Sequence, residues 1–201
     1  MSMPPQGMHP LPWTEEEFYA ARDAAPQGER WELVDGEVLV TPSPHWMHQR
    51  IVQRLNVALY EYVREQAIGE VFVSPLDVKL QKGLVLQPDI LVVPKGVLRS
   101  CEDIVDRLLL AVETISPSSA RYDRVKKRPA YQRNRVPDYW IVDEWSRTIE
   151  RWRPDDERPE LVSERVMWTP EGATSPFVLN LVQFFADVAV PEDGAASQGN
   201  A

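Results

Sequence analysis

Two short apolar runs, QPDILVV and LLLAVETI, place the strongest constraint on the fold of this chain. Each run is bounded by residues that break regular structure, and continuous apolar runs of this length are typical of strands covered on both faces. Both nevertheless contain an acid, Asp89 in the first and Glu113 in the second. An unpaired carboxylate in a buried strand is strongly destabilising because it loses its hydration. We therefore expect a positive charge close to both acids.

Further patterns predict helices and strands that alternate around these runs. Pro129 should kink the second long helix or loosen one of its turns, because proline lacks the amide hydrogen that a helix interior uses. The order predicts an α/β fold, a restriction-endonuclease-like mixed β-sheet flanked by helices with an N-terminal β-hairpin. The predicted elements are a short helix capped by Thr14, a hairpin over 31–40, a helix over 46–65, strands over 70–80, 88–93 and 108–115, a helix over 120–134, a strand within PDYWIVDEW, an antiparallel pair over 147–152 and 161–168, and a closing turn and helix within FVLNLVQFFADV.

The hairpin brings two further acids to one face. Asp35-Gly36 between two apolar runs is typical of a type I′ turn, which pairs Val34 with Glu37. Glu32 and Glu37 then emerge on the same side of the hairpin. Solvent is the default environment for such a face, so both acids are secondary candidates, either as a third metal ligand or as the residue that holds a water.

Length and charge limit the class of protein. With 201 residues, 43% of them hydrophobic, the chain can form one domain, which we place at 13–190 between a flexible start at 1–12 and a disordered tail at 191–201. No apolar stretch approaches the roughly 20 residues that span a bilayer, and the start lacks the pattern of a signal peptide. We expect a cytoplasmic protein without membrane contact. The net charge of −9 argues against non-specific coating of nucleic acid.

A basic segment reverses this charge locally. Residues 121–135 contain seven basic residues and one acid, and they follow directly after the Glu113 strand. The alternative interpretation is a solvated helix face on an acidic protein. If the segment binds nucleic acid, it meets the phosphate backbone by charge. The residues that we expect to do so are Arg121, Arg124, Lys126 and Arg128.

The two buried acids are candidate metal ligands. Asp89 opens its strand and Glu113 lies near the end of the next, so neighbouring strands would bring both carboxylates to one cation. Mg²⁺ or Mn²⁺ suits such a pair, because a hard cation takes few protein carboxylates together with waters and a substrate phosphate. The ion would lower the pKa of a bound water and offset charge on a phosphodiester. The alternatives are a strand-initiating cap beside Pro88 for Asp89 and an ion pair with a core arginine for Glu113. An arginine already between both acids would overturn the hydrolase interpretation and leave only the architecture.

From Trp13 to about Val188 the motifs and their order resemble the PD-(D/E)XK nuclease superfamily, and within it the bacterial Uma family of restriction endonucleases. The resemblance implies a core of helix, three strands, helix and strand. It also implies metal-dependent hydrolysis of nucleic-acid phosphodiester bonds. The segments that carry it are WELVDGEV, HWMHQRIVQRL, GEVFVSPLDVKL, QPDILVV, VETISPSS, YDRVKKRPAYQRNRVPDYWIVD and SPFVLNLVQFF.

The resemblance also implies a set of catalytic residues. Pro88-Asp89 corresponds to the PD element and Glu113 to the second acid, but Ile115 stands where the superfamily usually has its lysine. In the Uma branch the lysine lies on the following helix in a DRxxK-type sequence. That position is Lys127 here, with Lys126 as the second choice because Pro129 changes the helical register. Asp89, Glu113 and Lys127 are therefore the implied catalytic residues.

Two more side chains are weaker candidates, and Lys127 itself has an alternative role. His48 on the long helix could contact substrate or orient a ligand, although a lone helix histidine more often packs in the core. Asp77 alternates with apolar neighbours in PLDVKL and is expected to face the sheet near the site. Lys127 could instead form an ordinary surface pair with Asp123, four residues earlier.

Three functional hypotheses remain open on the sequence. The first is a metal-dependent endonuclease that acts on DNA, where two symmetric sites in a homodimer would suit the cutting of both strands. The second is a catalytically inactive module of the same fold that binds nucleic acid or a protein partner, because Ile115 occupies the usual lysine position. The third is a purely structural oligomer, which would bind neither metal nor nucleic acid.

Overall fold

The computed structural model describes residues 12–26, 28–41, 43–116 and 119–189. The expected disordered tail, and all but residue 12 of the expected flexible start, lie outside these ranges. The helices are α1 (Glu15–Ala24), α2 (Trp46–Gln66), α3 (Ala120–Tyr122), α4 (Arg128–Arg133) and α5 (Leu181–Val188), and a π-helical turn (Asp123–Lys127) joins α3 to α4. The strands are β1 (Arg30–Val34), β2 (Glu37–Thr41), β3 (Gly69–Val73), β4 (Val78–Gln81), β5 (Leu84–Leu86), β6 (Ile90–Pro94), β7 (Leu110–Ile115), β8 (Tyr139–Asp143), β9 (Thr148–Trp152), β10 (Glu160–Val162), β11 (Arg165–Trp168) and β12 (Phe177–Asn180).

The central sheet has six strands in the order β10-β9-β8-β7-β6-β3. β7 and β8 run parallel, and the other neighbours run antiparallel. The strands of the two apolar runs, β6 and β7, are neighbours near the middle of this sheet, as the sequence predicts. The α/β fold with a mixed sheet flanked by helices is confirmed.

Each face of the central sheet is covered. Ile90 and Val92 of β6 pack with α2, β11, β12 and α5 on one side. Leu91 and Val93 face the other side, where they pack with α4 and with the smaller sheet, β2-β1-β5-β4. Burial of alternate residues on opposite faces explains why the β6 sequence is continuously apolar.

The N-terminal hairpin has the predicted register. Val34 pairs with Glu37, and Glu32 pairs with Leu39. The apolar face of the hairpin packs on Phe18 of α1. A capping box from Thr14 begins α1, also as predicted. The hairpin is therefore fixed to α1 on one face, and the face that carries Glu32 turns toward the central sheet.

Two predictions of strands are wrong in detail. The single strand expected over 70–80 is two strands in different sheets, because the chain bends at Pro75, which has no amide hydrogen for a ladder. The pair expected over 147–152 and 161–168 is also divided, since only β10 pairs with β9. The chain bends at residues 163 and 164, so that β11 pairs instead with β12, which the sequence had suggested was a turn.

The helix expected over 120–134 contains a π-helical turn. The amide of Arg128 donates to the carbonyl oxygen of Asp123, five residues earlier. Pro129 follows, and its ring nitrogen cannot donate to Val125 as an α-helix would require. The irregularity that the sequence predicts at Pro129 is therefore present as one wider, π-helical turn. This turn carries Asp123 and Lys127, both buried, and π turns of this kind are frequent at functional sites.

Candidate active site

β6 and β7 bring the two predicted acids together. Ile90 pairs with Val112, and extending this antiparallel register by one residue sets Asp89 opposite Glu113. Asp89 is 4% exposed and Glu113 is 1% exposed. Two carboxylates therefore share one buried position at the end of the central strands, which is the arrangement that we expected of a cation site.

Arg30 of β1 lies between these two carboxylates. Its Nη1 is 2.6 Å from Asp89 Oδ1 and its Nη2 is 3.4 Å from Glu113 Oε2. Burial alone would lower the pKa of the guanidinium, but the carboxylates of Glu113, Glu32 and Asp89 raise it. In this structure an arginine thus supplies the positive charge that the sequence demanded. This is the outcome that counts against hydrolysis, because the arginine occupies the position between the two acids.

Lys127 is enclosed by three carboxylates. Its Nζ is 2.8 Å from Glu113 Oε1 and 2.7 Å from Glu32 Oε2, and it is 3.3 Å from Asp123 Oδ1. The pair with Asp123 exists, but it is buried and not the surface pair of the alternative interpretation. Burial would lower the pKa of Lys127, and the carboxylates of Glu113, Glu32 and Asp123 raise it. Lys127 is fully buried, so its ammonium holds acids in place and does not face solvent.

The two hairpin acids have opposite environments. Glu32 is fully buried, and its Oε1 accepts a hydrogen bond of 2.8 Å from the amide of Gln87. Glu37 lies beside the turn, is exposed, and accepts a hydrogen bond of 2.8 Å from Lys126 Nζ. The expectation of solvent is therefore wrong for Glu32 and right for Glu37. The difference arises because β5 and the π turn cover β1, whereas the turn end of the hairpin extends beyond them.

Asp89 is held by His48 as well as by Arg30. His48 Nε2 donates to Asp89 Oδ2 at 3.0 Å, and the amide of Thr114 donates to the same oxygen at 2.7 Å. Burial would raise the pKa of Asp89, but the His48 hydrogen bond and the Arg30 charge lower it to about 2. Glu113 behaves differently: burial raises its pKa well above the usual value despite the charges of Lys127 and Arg30.

The buried cluster carries more negative than positive charge. When all groups are ionised, four carboxylates and two basic groups leave two negative charges in excess. Burial also raises the pKa of Asp123, so two of the four carboxylates resist ionisation. The acids are Glu32, Asp89, Glu113 and Asp123, and the bases are Arg30 and Lys127.

This donor set fits a divalent cation. Within the described ranges, no group of three or more His, Cys, Asp or Glu side chains is arranged to hold a metal ion. Mg²⁺ needs only one or two protein carboxylates, because waters and substrate phosphates complete its coordination. Asp89 and Glu113 offer hard oxygen ligands, and the two negative charges in excess when the cluster is fully ionised match the charge of such an ion. The fit requires that Arg30 leave its position between them.

A cleft of about 660 Å³ opens over Asp89. Arg30, His48 and Thr114 line it. Each has one buried polar atom without a hydrogen-bond partner in the described part of the chain, namely Arg30 Nε, His48 Nδ1 and Thr114 Oγ1. Thr41 Oγ1 on the same cleft is a fourth such atom. Buried polar atoms are seldom left unpaired, so four of them along one cleft indicate a binding site.

The remaining predicted residues lie away from this cleft. Asp77 accepts hydrogen bonds from Arg22 and from Gln87 Nε2, which places it behind Glu32. In the basic segment, Arg124 pairs with Glu150, and the Arg128 guanidinium lies 4.6 Å from the centre of the Trp152 ring. Lys126 pairs with Glu37. Arg121 and Arg128 have no ion pair among the described residues, so two of the four expected phosphate-binding charges are already paired with acids.

The sequence interpretation missed Arg30. A signal was available, because Arg30 and Glu32 are two residues apart in a strand and must point to the same face. If the side chain of Glu32 is assigned to the protein interior, that of Arg30 must be assigned to the interior as well.

A mixed sheet flanked by helices, with two acids converging on adjacent central strands, defines a restriction-endonuclease-like nuclease fold. A crystal structure described as a putative nuclease belonging to DUF820, from Anabaena variabilis, is similar to 89% of this chain and 100% of that one, with a TM-score of 0.72. At 20% sequence identity this likeness shows the fold alone. The chain belongs to the Uma2 family, described as "Putative restriction endonuclease", which matches residues 15–183. The resemblance seen in the sequence is thereby confirmed.

No curated protein matches the chain. No helix in the described residues is both long enough and apolar enough to cross a membrane. Membership of the family supports a nuclease function and, with it, binding of nucleic acid.

Proposed function

We propose that this protein is an endonuclease that uses Mg²⁺ or Mn²⁺ to hydrolyse phosphodiester bonds of DNA. The observation that carries the proposal is the placement of Asp89 opposite Glu113, both buried, beside a cleft and within a cluster that has excess negative charge. In this proposal residues 13–190 form one nuclease-like domain. A homodimer would give two symmetric sites for the two strands of a duplex.

Asp89 and Glu113 would hold the ion, and the other residues of the cluster orient them. A bound divalent ion supplies a water of lowered pKa and offsets negative charge on the phosphodiester. His48 and the amide of Thr114 fix one oxygen of Asp89, so that the other points toward Arg30. Lys127 fixes Glu113 through Oε1 and leaves Oε2 toward Arg30. We therefore assign Lys127 a positioning role, exerted through Glu113.

We place the nucleic acid in the cleft and not along the basic segment. Gln49, Gln53 and Asn56 lie on one face of α2 and line the cleft. Amide side chains offer both a donor and an acceptor, which suits the edges of bases. The basic segment is less suitable, because Arg124 and Lys126 would first have to give up their partners.

Cleavage of DNA tests the proposal directly. Purified protein is incubated with supercoiled plasmid and with single-stranded oligonucleotide, each with Mg²⁺, Mn²⁺ or chelator. We expect metal-dependent cleavage that falls at least about 100-fold in Asp89→Asn and in Glu113→Gln, since the ion loses a ligand. Asp155→Asn and Glu37→Gln make the same chemical changes at exposed positions and should retain activity. Equal cleavage by wild type and Asp89→Asn would contradict the proposal.

The second candidate is a catalytically inactive module that binds nucleic acid. The observation that favours it is Arg30, which pairs both acids without a metal. Such a module would bind DNA with a strong dependence on salt and would show no metal uptake that depends on Asp89. Calorimetric titration with Mn²⁺ therefore separates the two candidates.

A further inference from the structure

We propose that Arg30 is a catalytic residue that leaves the Asp89 and Glu113 carboxylates and binds the scissile phosphate when a divalent ion and substrate enter the cleft. The inference rests on the proposed nuclease function and assigns the group that recognises the phosphate at that site. In the substrate-free protein, the position between the Asp89 and Glu113 carboxylates is then occupied either by the Arg30 guanidinium or by the divalent ion.

The contacts of Arg30 are uneven and incomplete. Nη1 is close to Asp89 at 2.6 Å, but Nη2 is 3.4 Å from Glu113 and 3.7 Å from Glu32. Nε is buried without a hydrogen-bond partner among the described residues. A guanidinium has five donors in a planar fork that matches phosphate oxygens, so a phosphate would satisfy donors that the carboxylates leave unused.

Arg30 is the basic side chain of the cluster that reaches the cleft. Its side chain is 19% exposed and lines the cleft, whereas the Lys127 side chain is 0% exposed. Of the basic side chains in the cluster, Arg30 can therefore contact a substrate phosphate, whereas the lysine that the family resemblance implied cannot. A long arginine side chain on an edge of the cleft can change position by rotamer changes alone.

The acids remain supported when Arg30 leaves. Lys127 contacts Glu113 and Glu32. Asp89 keeps its hydrogen bonds from His48 and from the amide of Thr114. Each carboxylate that Arg30 contacts thus has another partner, and the fold does not depend on Arg30 for the pairing of its buried charges.

The charge of the cluster couples the release of Arg30 to the entry of the divalent ion. When all its groups are ionised the cluster has two negative charges in excess, and departure of Arg30 without a replacement would leave three. Arrival of a divalent ion would reduce this excess to one, so release of Arg30 and entry of the ion favour each other. In the absence of substrate, Arg30 and the ion compete for the same two carboxylates.

Calorimetric titration of Mn²⁺ into the full chain tests this competition without any activity measurement. Arg30→Gln removes the competing charge and should bind Mn²⁺ about tenfold more tightly or better, a change of about 1.4 kcal/mol. Arg22→Gln is the matched control, because Arg22 is also a partly buried arginine that pairs with an acid, Asp77, outside the cluster. Its Mn²⁺ affinity should equal that of wild type. Unchanged or weaker binding in Arg30→Gln would overturn the proposal.

Binding of DNA with phosphorothioate linkages, which resist hydrolysis, tests the phosphate contact at saturating Mn²⁺. Arg30→Gln should weaken this binding at least about tenfold although its metal affinity has risen, and a merely structural residue would not separate the two effects. Arg30→Lys keeps the charge but loses the fork, so it should still compete with Mn²⁺ and yet bind the DNA more weakly than wild type. DNA binding equal to wild type in both variants would overturn the proposal.

The two hypotheses fail in different ways. A wild-type protein that cleaves no nucleic acid contradicts the proposed function, whereas the Mn²⁺ and DNA titrations still decide the role of Arg30. Circular dichroism on each variant confirms folding. If Arg30→Gln does not fold, the Arg30→Lys variant decides the question. Wild-type Mn²⁺ affinity together with weakened DNA binding in Arg30→Lys supports the proposal, and DNA binding equal to wild type contradicts it.

Discussion

Lys127 Nζ lies 2.8 Å from Glu113 Oε1, and neither side chain is more than 1% exposed. The lysine comes from the π-helical turn and the glutamate from a central strand, so this contact ties the helix after β7 to the floor of the site. A buried lysine surrounded by three carboxylates carries most of their charge compensation. Its removal therefore has consequences for stability that a surface lysine would not have.

We expect Lys127→Met to destabilise the protein by about 3–5 kcal/mol, because buried carboxylates would be left without their partner. Lys126→Met is the matched control: that lysine is partly exposed and pairs with Glu37, so its loss should cost less than about 1 kcal/mol. Urea unfolding of the three proteins measures the difference. Similar losses in both variants would show that the buried cluster does not depend on Lys127.

Glu113→Gln should have the opposite effect on stability, in a way that depends on pH. Burial raises the pKa of Glu113, so the folded state binds more protons than the unfolded state above pH 4.5. The free energy of unfolding of wild type must then fall as pH rises through the folded-state pKa of Glu113. Glutamine cannot ionise and avoids this loss. The stability of Glu113→Gln relative to wild type should therefore increase with pH and then level off.

Urea unfolding at several pH values between about 4 and 8 checks this expectation. Glu37→Gln serves as the control, because Glu37 is exposed beside the hairpin turn. A difference between Glu113→Gln and wild type that stays constant across pH would contradict the raised pKa. If Glu113 serves catalysis and not stability, the Glu113→Gln variant should be more stable than wild type and should lose cleavage activity.

The sequence predicts those parts of the structure that depend on residues close together along the chain. The continuous apolar runs in QPDILVV and LLLAVETI identify two central strands, and Asp35-Gly36 fixes the hairpin register. The convergence of Asp89 and Glu113 follows from these patterns together with the adjacency of consecutive strands.

The contacts that complete the site are not local, and the sequence does not predict them. Arg30 is 59 residues from Asp89 and 83 from Glu113 along the chain. Glu32 is buried because β1 pairs with β5, a three-residue strand that is too short to give a clear periodic signal. The π turn depends on hydrogen-bond geometry around Pro129, for which the sequence indicates only an irregularity. Local sequence patterns thus identify the buried acids, whereas the basic residues that pair with them are determined by tertiary packing.

The hairpin turn offers a test of how firmly β1, and with it Arg30 and Glu32, is held. Gly36 has φ +77°, and an added Cβ would lie 2.3 Å from Pro12 Cβ. Gly83 has a similar φ of +75° with nothing within 4 Å of an added Cβ. Gly83→Ala should therefore cost only the backbone strain, about 1 kcal/mol. Gly36→Ala should cost about 1–3 kcal/mol more, since the close contact must also be relieved.

Thermal or urea unfolding of the two glycine variants measures this difference. Equal losses would show that the segment before α1 moves away freely. The amide of Trp13 donates to the carbonyl oxygen of Gly36 at 2.8 Å, so we expect the movement to be resisted. Mn²⁺ affinity of the Gly36→Ala variant would then report whether displacement of the hairpin reaches Arg30.

His48→Ala should destabilise the protein near neutral pH, and the part of this loss that comes from Asp89 should disappear at strongly acid pH. The pKa of Asp89 is lowered from 3.8 to about 2, so its ionised form stabilises the fold above pH 3.8 and this contribution is lost as pH falls through about 2. The contribution amounts to up to about 2 kcal/mol. Without the His48 hydrogen bond the folded-state pKa of Asp89 moves back toward 3.8, so the variant lacks part of this contribution at neutral pH and has less of it to lose as pH falls.

His45→Ala is the control, because His45 also lines the cleft but its side chain is 46% exposed and contacts Glu144 instead of Asp89. The cavity left by His48→Ala lowers stability by a similar amount at every pH, so the part of the difference that shrinks as pH falls from about 3.8 toward about 2 isolates Asp89. Acid titrations followed by circular dichroism compare the three proteins. If the curves of His48→Ala and wild type differ by a constant alone, His48 packs against Asp89 without supporting its charge, and its assignment as the residue that orients this ligand is wrong.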